Sequence, residues 1–332
     1  MKIRHSLLLT ISCILCLSCT NTAYIANTGG IFGTTYSVKY QHNTDFGDSI
    51  YLELTKLDNI YSTFKSTSTL SKINRNESSH AEPELIQMLR SAVHVSELTN
   101  GYYDITCAPL VNAWGFGFKE RENLNQEMID SILQFVGYQH ITIDDDKVLK
   151  DNPLTMIDLS SIAKGYACDY IADFLTAKGI ENYMVEIGGE VRAKGVNHKG
   201  HTWTLGINKP AYDVTGLVSE IQDILKIDSG AVATSGNYRN FYVKDGKRYS
   251  HTINPKTGYP AENNLLSVSV YYPNCMMADA YATGFMSLGG EEAVRLAESI
   301  DSLEAYFIFA GENEDEHIVV KTSGFDKYLV SK

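Results

Sequence analysis

Asp279 and Thr283 are four residues apart in Met277-Ala278-Asp279-Ala280-Tyr281-Ala282-Thr283-Gly284. On a helix that spacing puts a carboxylate and a hydroxyl on one face. Both are oxygen donors, suited to Mg²⁺, which takes few protein ligands and completes its octahedron with water or substrate phosphates. The same pair also fits a plainer role, an N-capping Asp with a Thr bonded back to a helix carbonyl. A second segment, Ile157-Asp158-Leu159-Ser160-Ser161-Ile162-Ala163-Lys164-Gly165, reads as a strand running into a helix. Exposed N–H groups at that helix start, the hydroxyls of Ser160 and Ser161 and the Lys164 ammonium make an anion seat, or else a capped helix with a solvated lysine. A third brings Thr234-Ser235-Gly236-Asn237-Tyr238 together with His251-Thr252-Ile253-Asn254-Pro255. An imidazole there suits general-base work, although a histidine beside a turn is more often a surface residue. In the fourth, Ala113-Trp114-Gly115-Phe116-Gly117, two aromatic rings are flanked by glycines. That pattern lets a flat ring stack closely, or marks a packed turn. No P-loop, no G-x-G-x-x-G between strand and helix, no G-x-S-x-G elbow and no H-E-x-x-H pair occurs.

These islands lie at the edges of the elements that the spacing predicts. Alternation over 33–40 predicts a strand, and apolar residues three or four apart predict helices over 48–61 and 85–98, the second stopped by Asn100-Gly101. A third helix is expected over 126–136, ending at Gly137. Further on come strands at 156–159 and 183–187 with a helix between them reaching Lys178, capped by Ser160 or Ser161. Strands at 203–207 and 267–272, a helix over 277–288, and strands at 305–310 and 317–322 complete the pattern. The class is α+β with an α/β-like rhythm, a single compact two-lobed domain of mixed sheets flanked by helices.

A charge of -12 over 332 residues argues against nucleic-acid binding, which draws on Lys and Arg at phosphates. An acidic protein that holds a small polyanion is expected to recruit a cation. Lys2, Arg4 and His5 precede an apolar run from Leu7 to Leu17, too short to span a bilayer, which reads as an export leader. Leu17-Ser18-Cys19 resembles the lipobox of bacterial lipoproteins, which makes Cys19 the acylated residue. The expected division is a lipoprotein signal peptide over 1–18, a lipidated tether over 19–29 and one domain over 30–332, anchored on the periplasmic side of the inner membrane. Cys107, Cys168 and Cys275 are widely spaced and odd in number, and declare no disulfide framework.

In order and spacing the islands resemble the FAD:protein FMN transferase family, long labelled thiamine-biosynthesis lipoproteins. The segments that carry the resemblance are Gly33-Thr34-Thr35-Tyr36, Asn100-Gly101 through Trp114-Gly115-Phe116-Gly117, the stretch from Asp158 to Asp169, Gly188-Gly189-Glu190, Thr234 to Tyr238, His251 with Pro255 and Gly258, and Asp279 to Thr283. The resemblance implies that Trp114, Gly115 and Phe116 contact the flavin, Asp158 and Lys164 the FAD, and Ile253 its periphery. It also implies Mg²⁺ held by Asp279, Thr283 and oxygen from the Ser161 to Ala163 turn, with the backbone of Ala282. Phe32 stands where the family usually has Met, and Phe64 where it has Tyr, so bulk is kept and one hydroxyl is lost. The implied reaction moves the FMN half of FAD onto a Thr or Ser hydroxyl of an acceptor flavoprotein, with AMP leaving and His251 taking the proton. Two alternatives share the site: an FAD pyrophosphatase giving FMN and AMP, and a flavin-binding lipoprotein without catalysis.

Overall fold

The computed structural model describes residues 23–117, 124–210, 220–237, 241–244, 247–313 and 316–330. In chain order the elements are β1 (Tyr24–Ile31), β2 (Thr34–Gln41), α1 (Gly47–Tyr61), α2 (Thr69–Asn74), α3 (Pro83–Leu98), α4 (Ala108–Ala113) and α5 (Gln126–Leu133). There follow β3 (Ile141–Asp144), β4 (Lys147–Lys150), α6 (Ala163–Ala177), β5 (Tyr183–Ile187), β6 (Glu190–Lys194), β7 (Trp203–Asn208) and β8 (Ile221–Ile227). The chain closes with β9 (Ser229–Gly236), β10 (Phe241–Lys244), β11 (Lys247–Ser250), β12 (Leu265–Tyr272), α7 (Cys275–Leu288), α8 (Gly290–Ser299), β13 (Glu304–Ala310) and β14 (His317–Lys321). Eight strands form one sheet in the order β1-β2-β5-β6-β9-β12-β13-β14.

The α+β class stands as the sequence predicts. Where mixed sheets were expected, every described ladder pair is antiparallel. Alternation decides which residues of the sheet face which layer. Val38, Val185, Ala233, Val268 and Phe307 point into the main core beneath α1, α3, α6 and α7. Val232, Tyr306 and Ile308 point the other way, onto Trp203, Leu225 and Ile227 of the β7–β8 hairpin. With both faces covered, β12 is buried from Leu265 to Val270 and carries no polar stripe except Ser267 and Ser269. Ser269 is satisfied by the Thr234 hydroxyl directly across the ladder, at 2.7 Å.

α7 is the central helix, apolar nearly all round, as a helix covered on every side must be. It starts two residues before the expected position because Asn274 caps it, accepting from Met277 N at 2.9 Å. Asp169 of α6 accepts from Cys275 N at 2.9 Å and Met276 N at 2.8 Å, so one helix holds the start of the other.

Four local expectations are corrected. Residues 24–29, expected in the tether, belong to β1, which pairs from Tyr24↔Gln41 to Ile31↔Thr34; its composition is polar because it is an edge strand, half exposed. Cys19 and residues 1–22 lie outside the described residues. Residues 156–159 form no ladder, because the Asn74 side chain takes both main-chain groups of Ile157 at 2.8 Å and Asp158 N donates to Ile105 O at 2.7 Å. The helix after them starts at Ala163 with Ile162 at its N-cap, so neither Ser160 nor Ser161 caps it. α5 also stops earlier than expected, at Leu133.

Candidate active site

A cleft of about 510 Å³ opens where the starts of α4 and α6, the middle of α7, the end of β9 and the turn after β11 converge. Its depth depends on how closely α6 and α7 approach. Gly165 permits that approach, since a Cβ there would lie 2.3 Å from Cys275 O and 2.8 Å from Asp279 Cβ. Gly165 N then donates to Asp279 Oδ2 at 3.0 Å. Gly188 and Gly189, at φ +62° and +106°, turn β5 into β6 and bring Glu190 to the cleft wall.

The inner end is a buried charge cluster. Lys164 Nζ lies 3.0 Å from Glu190 Oε1 and 3.9 Å from Asp279 Oδ2. Glu190 is 4% exposed and Asp279 2%. Burial pushes the Glu190 carboxyl well up, the Asp279 charge pushes the same way, and Lys164 opposes both. Burial likewise raises Asp279 against the pull of Lys164 and the Gly165 N–H. Burial lowers Lys164, but Asp279 and Glu190 outweigh it and its net shift is upward, so the ammonium is retained. Two acids thus share one cation, and Glu190 Oε2 is buried without a hydrogen-bond partner. A second positive charge, or a ligand donor, would complete the cluster.

Asp279 and Thr283 both line the cleft, as their spacing predicts, and the Thr283 hydroxyl lies 3.3 Å from Ser235 Oγ. Ser161 Oγ donates to Tyr103 Oη at 3.0 Å. Burial raises the Tyr103 phenol, with the Ser161 bond pulling the other way, so it stays a neutral hydrogen-bonding group. Among the described residues no three His, Cys, Asp or Glu side chains group as a metal centre. Beside Asp279 the cleft presents the hydroxyls of Thr283 and Ser235, an oxygen set that fits Mg²⁺ sharing its shell with phosphate oxygens better than zinc.

The outer end is aromatic. Phe116 and His251 meet edge to face with ring centroids 6.5 Å apart, and Ile253 and Pro255 continue the wall. Phe64, 82% exposed, stands at the rim. Asp158 also lines the cleft, and its carboxylate accepts from Ser160 N at 2.8 Å. Lys164, Ser161, Phe116, Asp158, Ile253, His251, Asp279, Thr283 and Phe64 therefore come together from distant parts of the sequence.

Other expected residues sit elsewhere. Trp114 packs with Leu110, Ile129 and Ile253 in a satellite core, its Nε1–H donating to Gly258 O at 2.7 Å, and neither it nor Gly115 lines the cleft. Its ring ties the 251–260 turn to α4. Phe32 packs 5.3 Å from the Tyr61 ring in the β1–β2 turn, at φ 52°. Ala163 and Ala282 are buried; the Ala163 carbonyl accepts from Tyr61 Oη at 3.4 Å. Glu190 and Tyr103 were given no role by sequence reasoning. The only local signal for Glu190 is an acid placed directly after a Gly-Gly turn. A larger cavity of about 800 Å³ lies on the far side of α4, lined by Pro109, Met128, Ile132, Phe135 and Leu154, with one acid, Glu127. It gathers no reactive cluster, so the chemistry is assigned to the smaller cleft.

The family model of the ApbE family matches residues 32–307. The FAD:protein FMN transferase of Vibrio cholerae is 38% identical over 308 residues, 89% of this chain and 91% of that protein. Its counterpart in Escherichia coli K12 is 34% identical over 301 residues, 88% of this chain and 84% of that protein. Among solved structures, the flavin transferase ApbE from Vibrio cholerae superposes with a TM-score of 0.83 at 36% identity, covering 93% of this chain and 100% of that one. The apo form of the Pseudomonas stutzeri flavinyl transferase ApbE superposes with a TM-score of 0.82 at 31% identity, covering 94% and 98%. Sequence and fold agree over most of the length of each relative, and this chain belongs to the ApbE family.

Proposed function

We propose that this chain is an FAD:protein FMN transferase, moving the FMN half of FAD onto a Thr or Ser hydroxyl of an acceptor flavoprotein and releasing AMP. The observation that carries the reading is one cleft with an aromatic mouth and a buried Lys164–Glu190–Asp279 cluster at its inner end. A ring system and a pyrophosphate need those two environments side by side, and the similarity to FAD:protein FMN transferases supports the assignment.

The reaction joins the acceptor oxygen to the FMN-side phosphorus and breaks that phosphorus's bond to the oxygen leaving with AMP. Such chemistry needs alignment and charge neutralisation more than covalent help. Lys164 supplies one fixed positive charge, held in place by Glu190. Asp158 borders the same anion seat, and Phe116, Ile253 and Phe64 border the ring. Asp279, Thr283 and main-chain oxygens of Ser161, Ala163 and Ala282 would hold Mg²⁺, which when bound would offset the pyrophosphate charge. His251, on the cleft wall, accepts the proton of the incoming hydroxyl. Phe32, Trp114 and Gly115, set back from the cleft, shape its walls. The proposal extends to location: an acylated Cys19 anchors the domain on the periplasmic side of the inner membrane, a reading supported by the leader and Leu17-Ser18-Cys19. No helix among the described residues is long and apolar enough to cross a membrane.

Incubation with FAD and Mg²⁺, with and without an acceptor domain, tests the reaction. The expected product is a covalently fluorescent acceptor together with AMP. FMN and AMP formed equally with and without acceptor would make the chain a pyrophosphatase, and unchanged FAD would leave only a binding protein.

A further inference from the structure

Cys168 and Cys275 are 107th-neighbour residues in no pattern that a sequence declares, yet the fold buries both thiols completely and side by side. Cys168 Sγ donates to Glu190 O at 3.3 Å, and Cys168 and Cys275 belong to one buried cluster between α6 and α7. Their helices touch at the Gly165–Cys275 contact, where a Cβ on Gly165 would meet Cys275 O. The pair also lies directly beneath the charge cluster. Cys168 is one helical turn after Lys164 and Cys275 one turn before Asp279.

We propose that Cys168 and Cys275 form a disulfide that ties α6 to α7 when the chain folds in the presence of a disulfide oxidant. Such an oxidant has the chemistry of oxidised glutathione or of an oxidised dithiol protein. One Cys thiolate attacks the oxidant and forms a mixed disulfide, releasing one thiol. The second Cys thiolate then displaces the other thiol, so one S–S bond forms, one breaks, and both electrons and both protons end on the oxidant's thiols. Timing follows from burial. In the folded protein neither sulfur is exposed and both thiols are pushed up by burial, so thiolate is scarce and the oxidant has no path to it. Exchange therefore occurs before α6 and α7 dock, and docking then protects whichever redox state the chain carries. Cys107, on the cleft wall, is the cysteine of the domain left as a thiol. The bond would close a loop of more than a hundred residues, and a constraint of that length acts on the unfolded chain.

The test is refolding of the full chain with oxidised and reduced glutathione mixtures, or with reductant alone, followed by alkylation in denaturant and tryptic mapping. Oxidised refolding should join peptide 165–178 to peptide 257–295, and reductant should separate them. The oxidised form should unfold at a midpoint roughly 2–7 °C above the reduced form. Cys275→Ala should show no redox-dependent difference in midpoint. Alkylated Cys168 and Cys275 after oxidised refolding, or bridges running only to other cysteines, would overturn the proposal; the peptide map decides this even if the variant folds poorly.

Discussion

Asp279 is a buried acid whose main-chain and lysine partners do not balance the second acid beside it. Asp279→Asn keeps the shape of the side chain and its bond from Gly165 N, but removes the charge that would hold a cation. Turnover of FAD is expected to fall by about two orders of magnitude or more, with circular dichroism unchanged. Near-normal turnover at saturating Mg²⁺ would show that the cation sits elsewhere. His251 has a different signature. As the proton acceptor, its replacement by Ala should slow transfer by about 10²- to 10⁴-fold while FAD affinity changes little, and the acid limb of the pH profile should vanish. Joint loss of FAD affinity and thermal stability, with the pH profile intact, would identify His251 as a turn residue. Asp279 and Thr283 were legible in the sequence because helix geometry alone puts residues four apart on one face. Glu190 was not, because its neighbours Lys164 and Asp279 are brought to it by the packing of two helices on a sheet, which no local spacing encodes.

At the scale of elements, the junction of α6 with α7 sets the site, and Asp169 fastens it by accepting from Cys275 N and Met276 N. Burial pushes the Asp169 carboxyl up to about 6 from 3.8, against those two bonds and Arg192 at 3.7 Å. A carboxyl raised on folding binds its proton more tightly in the native state. Its contribution to stability is thus fully present below pH 3.8 and is lost as pH rises through about 6. Asp169→Asn cannot accept both N–H groups, so below pH 3.8 it should be less stable than the parent by roughly 1–3 kcal/mol. The gap between parent and variant should narrow as pH rises between those limits, read by urea unfolding at a series of pH values. Parallel curves would show that Asp169 does not titrate in that window. The helices were legible because apolar residues three or four apart mark a buried face, as Ile50, Leu54 and Leu57 do in α1. Residues 156–159 misled because they are apolar and short like a strand, while their hydrogen bonds go to the Asn74 side chain and to Ile105. Trp114 has a structural partner that the sequence does not name. A ring between glycines marks a close approach, and here the partner approached is the main chain of Gly258.

At the scale of the molecule, the sheet has helices over one face and the β7–β8 hairpin over the other, so its open sides are the outer edges of β1 and β14. β1 shows why the polar start of the domain was misread. Tyr24-Ile25-Ala26-Asn27-Thr28-Gly29 lacks the apolar alternation of a core strand, yet β2 satisfies its main chain along eight paired residues. Tyr24 Oη adds a 2.5 Å bond to Val196 O, which fixes the strand to the turn after β6. An edge strand needs only one apolar side and a partner, and composition cannot supply the partner. The consequence is testable by truncation. A chain starting at residue 23 retains β1 and should unfold at the same temperature as the parent. A chain starting at residue 33 exposes the hydrogen-bonding edge of β2 and the buried side chains of Tyr36, Val38 and Tyr40 to strand exchange. It should melt several degrees lower and elute from a sizing column partly as aggregate. If both truncations melted together and remained equally monodisperse, residues 24–31 would contribute nothing to the fold, and the tether originally expected there would be the better description.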